Sequence, residues 1–238
     1  MCDDHVHHDH GPTTLSWGRT TLIVGALGLL AWFGSVVFHP LPDALSRPLF
    51  FAVGPLVAIA AFAAGHFLRV GRDTVELRLA VLMHVVAGAF FGAMAVIQNV
   101  VWTMSESRFA AAGSTTVEES VMRTAWAVND VQAALDVAWD VWLSVGAILL
   151  AVALVRHPLF GALFGAVGAL AAAAVLGLNL AAYPTAPAEA GFFDPGPLLA
   201  VWYGAVLVQV GRAVLRLSRG YAGWPEPSLV ASAEIHSS

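Results

Sequence analysis

Six stretches of the chain are apolar enough, and long enough, for a helix to cross a bilayer: residues 20–38, 48–68, 79–104, 136–155, 158–182 and 195–211. A hydrocarbon core of about 30 Å needs about 20 apolar residues at a helical rise of about 1.5 Å each. Pro48, Pro158 and Pro195 head three of these stretches, at first-turn positions where a missing N–H breaks no helical hydrogen bond. The pattern predicts an all-α, polytopic transmembrane bundle of six helices over residues 17–218. Disordered tails are expected at 1–16 and 219–238. The longest non-apolar stretch, residues 105–124, reads as an outer loop running into the fourth helix, because it is too short to bury a core of its own.

The fourth stretch departs from the pattern informatively. Only fifteen uncharged residues, 141–155, are available to it, about 22 Å of helix, which falls short of about 30 Å of hydrocarbon. The span must therefore take in Asp140, and counting back twenty residues from Val155 reaches Asp136. At 100° per residue, Asn129, Gln132, Asp136, Asp140 and Ser144 share one face. A carboxylate at mid-bilayer costs about 2.5–3.5 kcal/mol and less near the interface, so this face is expected to meet protein or water and not lipid.

Partners occur at the same depth on other spans. Gln98, Asn99 and Trp102 lie near the outer end of the third, His39 ends the first, Asn179 and Tyr183 end the fifth, and Trp202 and Tyr203 lie in the outer half of the sixth. The expectation is an outward-facing polar vestibule centred on Asp136 and Asp140, with Gln98, Asn99, Asn179, Tyr183, Trp202 and Tyr203 as its ligand-binding candidates. Two carboxylates one helical turn apart can bind a cation, share a proton, or supply an acid and a base. They can equally hydrogen-bond neighbouring helices and hold the bundle together.

Composition narrows the chemistry. With 58% hydrophobic and only 11% charged residues, and a mean hydropathy of +0.76, the chain has more apolar surface than a water-soluble fold of 238 residues can hide. It contains no lysine, which excludes a Schiff base to retinal or pyridoxal phosphate. A net charge of -5 argues against a nucleic-acid partner, and the bilayer is the partner that the apolar stretches imply. Arginine is distributed unevenly. Arg19, Arg69, Arg72, Arg78, Arg156, Arg212, Arg216 and Arg219 fall on one side, against Arg47, Arg108 and Arg123 on the other. By the positive-inside rule both termini are expected in the cytoplasm.

The N-terminal run holds Cys2, His5, His7, His8 and His10 among three aspartates. Imidazoles, a thiol and carboxylates at this density can chelate a divalent metal, although an unstructured tail with incidental affinity fits as well. Being acidic and not basic, the run does not read as a cleavable leader, so the first apolar stretch is expected to be retained. Cys2 is the sole cysteine, so no internal disulfide forms. His84 is expected to be a buried histidine bonded to a neighbouring helix. His66 is expected at the interface, and His39, His66 and His84 lie at different depths, unlike the ligands of a membrane zinc hydrolase. Gly88-x-x-x-Gly92 and Gly161-x-x-x-Gly165 permit close helix approach, within the chain or between copies in an oligomer.

The run from Asn179 through Tyr183-Pro184, Pro187, Gly191 and Asp194-Pro-Gly196-Pro197, with Trp202-Tyr203 after it and Asp136-x-x-Trp139-Asp140 before it, resembles a group of uncharacterised bacterial multi-pass proteins known as a domain of unknown function. The resemblance covers residues 126–212. It implies a bacterial inner-membrane protein and supplies no activity or catalytic residue. The prolines and glycines of residues 184–196 are expected to shape a compact lid over the vestibule. Three functions follow as expectations: binding of a small ligand, cation or proton, with transport as an extension; an enzyme acting on a lipid or isoprenoid headgroup through carboxylate acid/base chemistry; or a structural subunit of a membrane complex.

Overall fold

In a computed structural model of the chain, which describes residues 11–37, 41–185, 187 and 189–219, helices are joined by short turns and no strand occurs among the described residues. The elements are α1 (Gly11–Trp32), continued by a π-helical turn at Phe33–Val37, then α2 (Asp43–Arg69), α3 (Val75–Ala110), α4 (Thr115–Val155), α5 (Ala162–Ala182) and α6 (Gly196–Ser218). All six helices are long and apolar enough to cross a membrane. Apolar side chains such as Ile23, Leu27 and Leu30 on α1, or Leu163, Val167 and Leu170 on α5, are exposed in rows at helical spacing. Such rows need a hydrocarbon solvent, and they make this chain a multi-pass helical membrane protein.

The helices form a ring in chain order. Each packs against its sequence neighbours and α6 closes on α1, with no backbone approach across the ring among the described residues. Glycine sets the closest of these approaches. Gly54 on α2 and Gly88 on α3 lie back to back, so a Cβ on Gly88 would fall 2.5 Å from the Gly54 carbonyl oxygen. Gly165 on α5 meets the Ala151 carbonyl and Val155 on α4 in the same manner. These are contacts that the two small-residue motifs permit.

One end of the ring is sealed. Phe67, Leu68, Leu77, Leu154, Val210 and Val214 pack there into one buried cluster drawn from α2, α3, α4 and α6. His157, in the α4–α5 turn, fastens that end. Its Nδ1 accepts from Leu159 N–H at 3.2 Å and its Nε2–H donates to the Leu68 carbonyl at 3.0 Å, which caps α2 from a different turn. Both ring nitrogens are then used by a neutral imidazole. Burial, the largest effect, holds the His157 pKa below the ordinary histidine value, helped by nearby Arg72 and opposed by the Leu68 bond.

Several boundaries differ from the expectation. Helix α1 begins at Gly11, so residues 11–16 are helical and not part of a tail; Thr14 and Gly18 are buried and tie this first turn to the bundle. Pro48 lies inside α2, as does Pro55, and Pro158 stands in the turn before α5. The largest correction concerns residues 105–124. They are a helical hairpin and not a loop: α3 runs on to Ala110 and α4 starts at Thr115. The segment carries Ala110 to Ala112, Glu106, Glu118, Glu119, Arg108 and Arg123, residue types that form helix well whatever their polarity, and it breaks only around Gly113-Ser114. The 41 residues of α4 span about 62 Å, twice a hydrocarbon core, so the hairpin stands well clear of the membrane at the end opposite the seal.

Candidate functional site

The lumen of the ring holds a cavity of about 840 Å³. Its lining runs from Glu106 and Asp194, beside the α3–α4 hairpin and the α5–α6 loop, down to Thr21, Ala64 and Leu150. Its two sides differ. On the α1 and α2 side the wall is apolar, with Leu29, Trp32, Phe50, Val53 and Leu56. On the α3 and α4 side a polar ladder descends from Glu106, Gln98, Asn99 and Gln132 to Asp136 and Asp140.

Asp136 and Asp140 are successive rungs on one face of α4, about 6 Å apart along the helix. Both are half-buried and line the lumen. The length of the fourth span requires them to enter the membrane, and the ring supplies the place that avoids lipid. Asp194, from the turn before α6, is a like-charged neighbour of both. Its Oδ1 accepts from Gly196 N–H at 2.8 Å, which fixes the carboxylate at the mouth. With Glu106, four carboxylates line the cavity, against a single guanidinium, Arg47. Aromatic rings stand beside them. Trp139 packs edge-on to Phe91 with centroids 4.9 Å apart, and Phe91 lies 5.1 Å from Phe50. The site therefore pairs negative charge with π faces.

A two-residue bridge crosses the lumen below Asp140. His84 Nε2 on α3 lies 2.5 Å from Tyr203 Oη on α6, and His84 Nδ1 lies 2.6 Å from the Ala80 carbonyl. A carbonyl only accepts, so Nδ1 carries the proton and Nε2 accepts from the tyrosine hydroxyl. The imidazole also lies against Gly146 on α4, where a Cβ would stand 2.7 Å from Nδ1. Three helices thus converge on one histidine. Ser144, one turn below Asp140, is fully buried with its hydroxyl unpartnered.

The candidates read from the sequence fall into four groups. Asp136, Asp140, Gln98, Asn99 and Tyr203 line the cavity, and Asn99 Nδ2 donates to the Ala95 carbonyl at 3.2 Å. Asn179 stands behind the wall. It is buried, its Nδ2 donates to the Val175 carbonyl at 3.0 Å, and its side chain lies near Asp140. Tyr183 and Trp202 lie elsewhere. Tyr183 is 60% exposed at the α5 terminus. Trp202 faces α5, fitting against Gly168 and donating Nε1–H to the Phe164 carbonyl at 3.2 Å, so it packs helices and does not wall the cavity. The metal-chelating candidates Cys2, His5, His7, His8 and His10, together with His39, lie outside the described residues, and so does the side chain of Trp102.

Among the described residues between α5 and α6, Phe192 N–H donates to the Pro187 carbonyl at 2.8 Å and Thr185 Oγ1 to the Ala182 carbonyl at 2.9 Å. His66 stacks on Trp17 with centroids 4.6 Å apart. Among the described residues no three His, Cys, Asp or Glu side chains converge closely enough to hold a metal ion. Comparison of the chain with family models, with curated proteins and with solved structures finds no match.

Proposed function

We propose that this protein binds a small organic cation in the lumen of the ring, with the cationic group between Asp136 and Asp140 and the apolar part against Trp32, Phe50 and Phe91. One observation carries the reading: a cavity within the ring of spanning helices, lined among the described residues by four carboxylates and one guanidinium, with the rings of Trp32 and Phe50 on the α1–α2 wall. Carboxylates hold an ammonium group through charge-assisted hydrogen bonds, and aromatic faces add about 0.5–2 kcal/mol by cation–π attraction. The volume of about 840 Å³ suits a drug-sized molecule. The described carboxylates do not converge as metal ligands would, which favours an extended organic cation over a compact ion.

The lining carboxylates Glu106 and Asp194 lie toward the hairpin and the α5–α6 loop, so the reading is capture from the mouth side. The cluster from Phe67 to Val214 is buried apolar packing at the other end. Passage across the membrane would require the His84–Tyr203 bridge and that cluster to open. The reading takes the membrane to be a bacterial inner membrane with the mouth outside the cytoplasm, and the arginine excess at the end opposite the mouth supports that orientation.

The test is a thermal-shift series on the full chain in detergent at pH 7.5. Benzyltrimethylammonium should raise the unfolding midpoint with saturating concentration dependence. Its neutral isostere neopentylbenzene and the anion benzenesulfonate should not. Equal stabilisation by all three would reject the reading, because hydrophobicity alone would then explain binding.

A further inference from the structure

The lumen continues below the carboxylates, into a part that the cationic group and the aromatic wall leave unused. On α4 its lining runs from Asp140 through Leu143 to Leu150, about 15 Å of helix. On α2 it runs from Phe50 and Val57 to Ala60, Ala61 and Ala64. The α2–α3 contact fixes the depth of these alanines against the His84–Tyr203 bridge. A Cβ on Gly88 would meet Ala58 and one on Gly65 would meet Val81. His84 therefore lies level with the α2 turn that holds Ala60 and Ala61, and Ala64 lies beneath it. On α4, His84 touches Gly146, one turn above Leu150. The bridge ties α3 to α6, and the lumen passes it on the α1–α2 side, where the alanines present only methyl groups.

The lower lumen differs in chemistry from the upper. Among the described lining residues, every charged one lies at the level of Asp140 or nearer the mouth. Farther down the polar side chains are already paired: His84 and Tyr203 with each other, and Thr21, whose hydroxyl donates to the Trp17 carbonyl at 2.8 Å. Apolar space of this kind stays dry and suits hydrocarbon. Its length sets how much. An extended alkyl chain advances about 1.25 Å per carbon, so about 15 Å takes about twelve carbons. The upper lumen sets the other end of the molecule, since four carboxylates repel a phosphate or a fatty-acid carboxylate and attract a cation.

We propose that the cation taken up by this cavity is a single-chain amphiphile. Its head lies between Asp136 and Asp140, and a linear alkyl tail of about ten to twelve carbons runs past the bridge to Ala64 and Leu150. The proposal rests on the cation-binding reading above and names the substrate class of that site.

Isothermal titration of butyl-, heptyl-, decyl- and tetradecyltrimethylammonium into the full chain in nanodiscs, with empty nanodiscs subtracted, tests this. Affinity should rise about threefold for each added methylene from butyl to decyl and level off by tetradecyl, whereas partition into lipid keeps rising. Ala61→Leu and Ala64→Leu each fill the lower lumen with a residue of good helix propensity. Each should weaken decyltrimethylammonium by about tenfold or more and leave butyltrimethylammonium within about twofold of wild type. Affinity independent of chain length, with benzyltrimethylammonium still bound, would overturn the tail site and leave the cationic site standing. An equal loss of butyltrimethylammonium in both variants would overturn it too. Decanol binding as tightly as decyltrimethylammonium, with the same loss in the two variants, would instead overturn the cationic site on which the proposal rests.

Discussion

Tyr203 Oη lies 2.5 Å from His84 Nε2 and joins α6 to α3 across the lumen of a ring in which, among the described residues, helix backbones meet only the helices next to them around the ring. Because Nδ1 already donates to Ala80, the tyrosine is the donor that satisfies Nε2. The bridge therefore braces the ring and crosses the cavity beneath Asp140, whose lining continues past it to Thr21, Ala64, Leu150 and Leu207.

Tyr203→Phe deletes the bridging hydroxyl and leaves His84 Nε2 buried without its donor. An unsatisfied buried acceptor costs about 1–3 kcal/mol, which lowers the unfolding midpoint by about 2–10 °C for a chain of this size. Circular dichroism melting in detergent reads the change. A midpoint equal to wild type would show that the bridge does not brace the ring.

The two glycines of Gly88-x-x-x-Gly92 differ in what their neighbours allow, and so does Gly54 opposite them. A Cβ on Gly54 would strike the Gly88 carbonyl oxygen, a backbone atom that cannot swing aside, whereas one on Gly92 meets nothing within 4 Å. Gly54→Ala should destabilise by about 1–3 kcal/mol through forced separation of α2 and α3. Gly92→Ala should be neutral or stabilising by up to about 1 kcal/mol, the helix-propensity difference between alanine and glycine. Paired melting curves of the two variants check the ordering.

His157 gives the stability a pH dependence. Its folded pKa is lowered by burial, so the unfolded chain takes up the proton first as pH falls. The stabilisation is full above the unfolded value of about 6.5 and is lost as pH drops through the lowered folded value. Melting from pH 8 to pH 5 should show the wild-type midpoint falling below about pH 6.5. In His157→Gln the midpoint should start lower and fall less over the same range. Parallel curves for the two proteins would contradict the assignment.

The transmembrane helices were legible because an apolar run longer than about 20 residues has few alternatives to a span. The placement of Asp136 and Asp140 followed from length alone, since residues 141–155 cannot cross without them. The α3–α4 hairpin was not legible in that way: its residues mix charged side chains with isolated exposed apolar ones such as Phe109, Val117 and Met122, and hydropathy carries no signal there. Trp202 and Tyr203 illustrate another limit. Adjacent residues on a helix point about 100° apart, so one packs against α5 and the other enters the lumen. Only the position of α6 in the ring decides which. The approach of Asp194 to α4, and of Tyr203 to His84 119 positions away, arises from ring closure, which no local pattern encodes.

The central claim is that Asp140 and Asp136 hold a cationic group. Isothermal titration of benzyltrimethylammonium into the full chain in nanodiscs, comparing wild type with Asp140→Asn and Asp136→Asn, tests it most directly. Each substitution keeps the side-chain shape and removes the charge, so each should weaken binding by about tenfold or more while the melting midpoint without ligand stays within a few degrees of wild type. Affinity unchanged in both variants, with the wild type binding, would contradict the account.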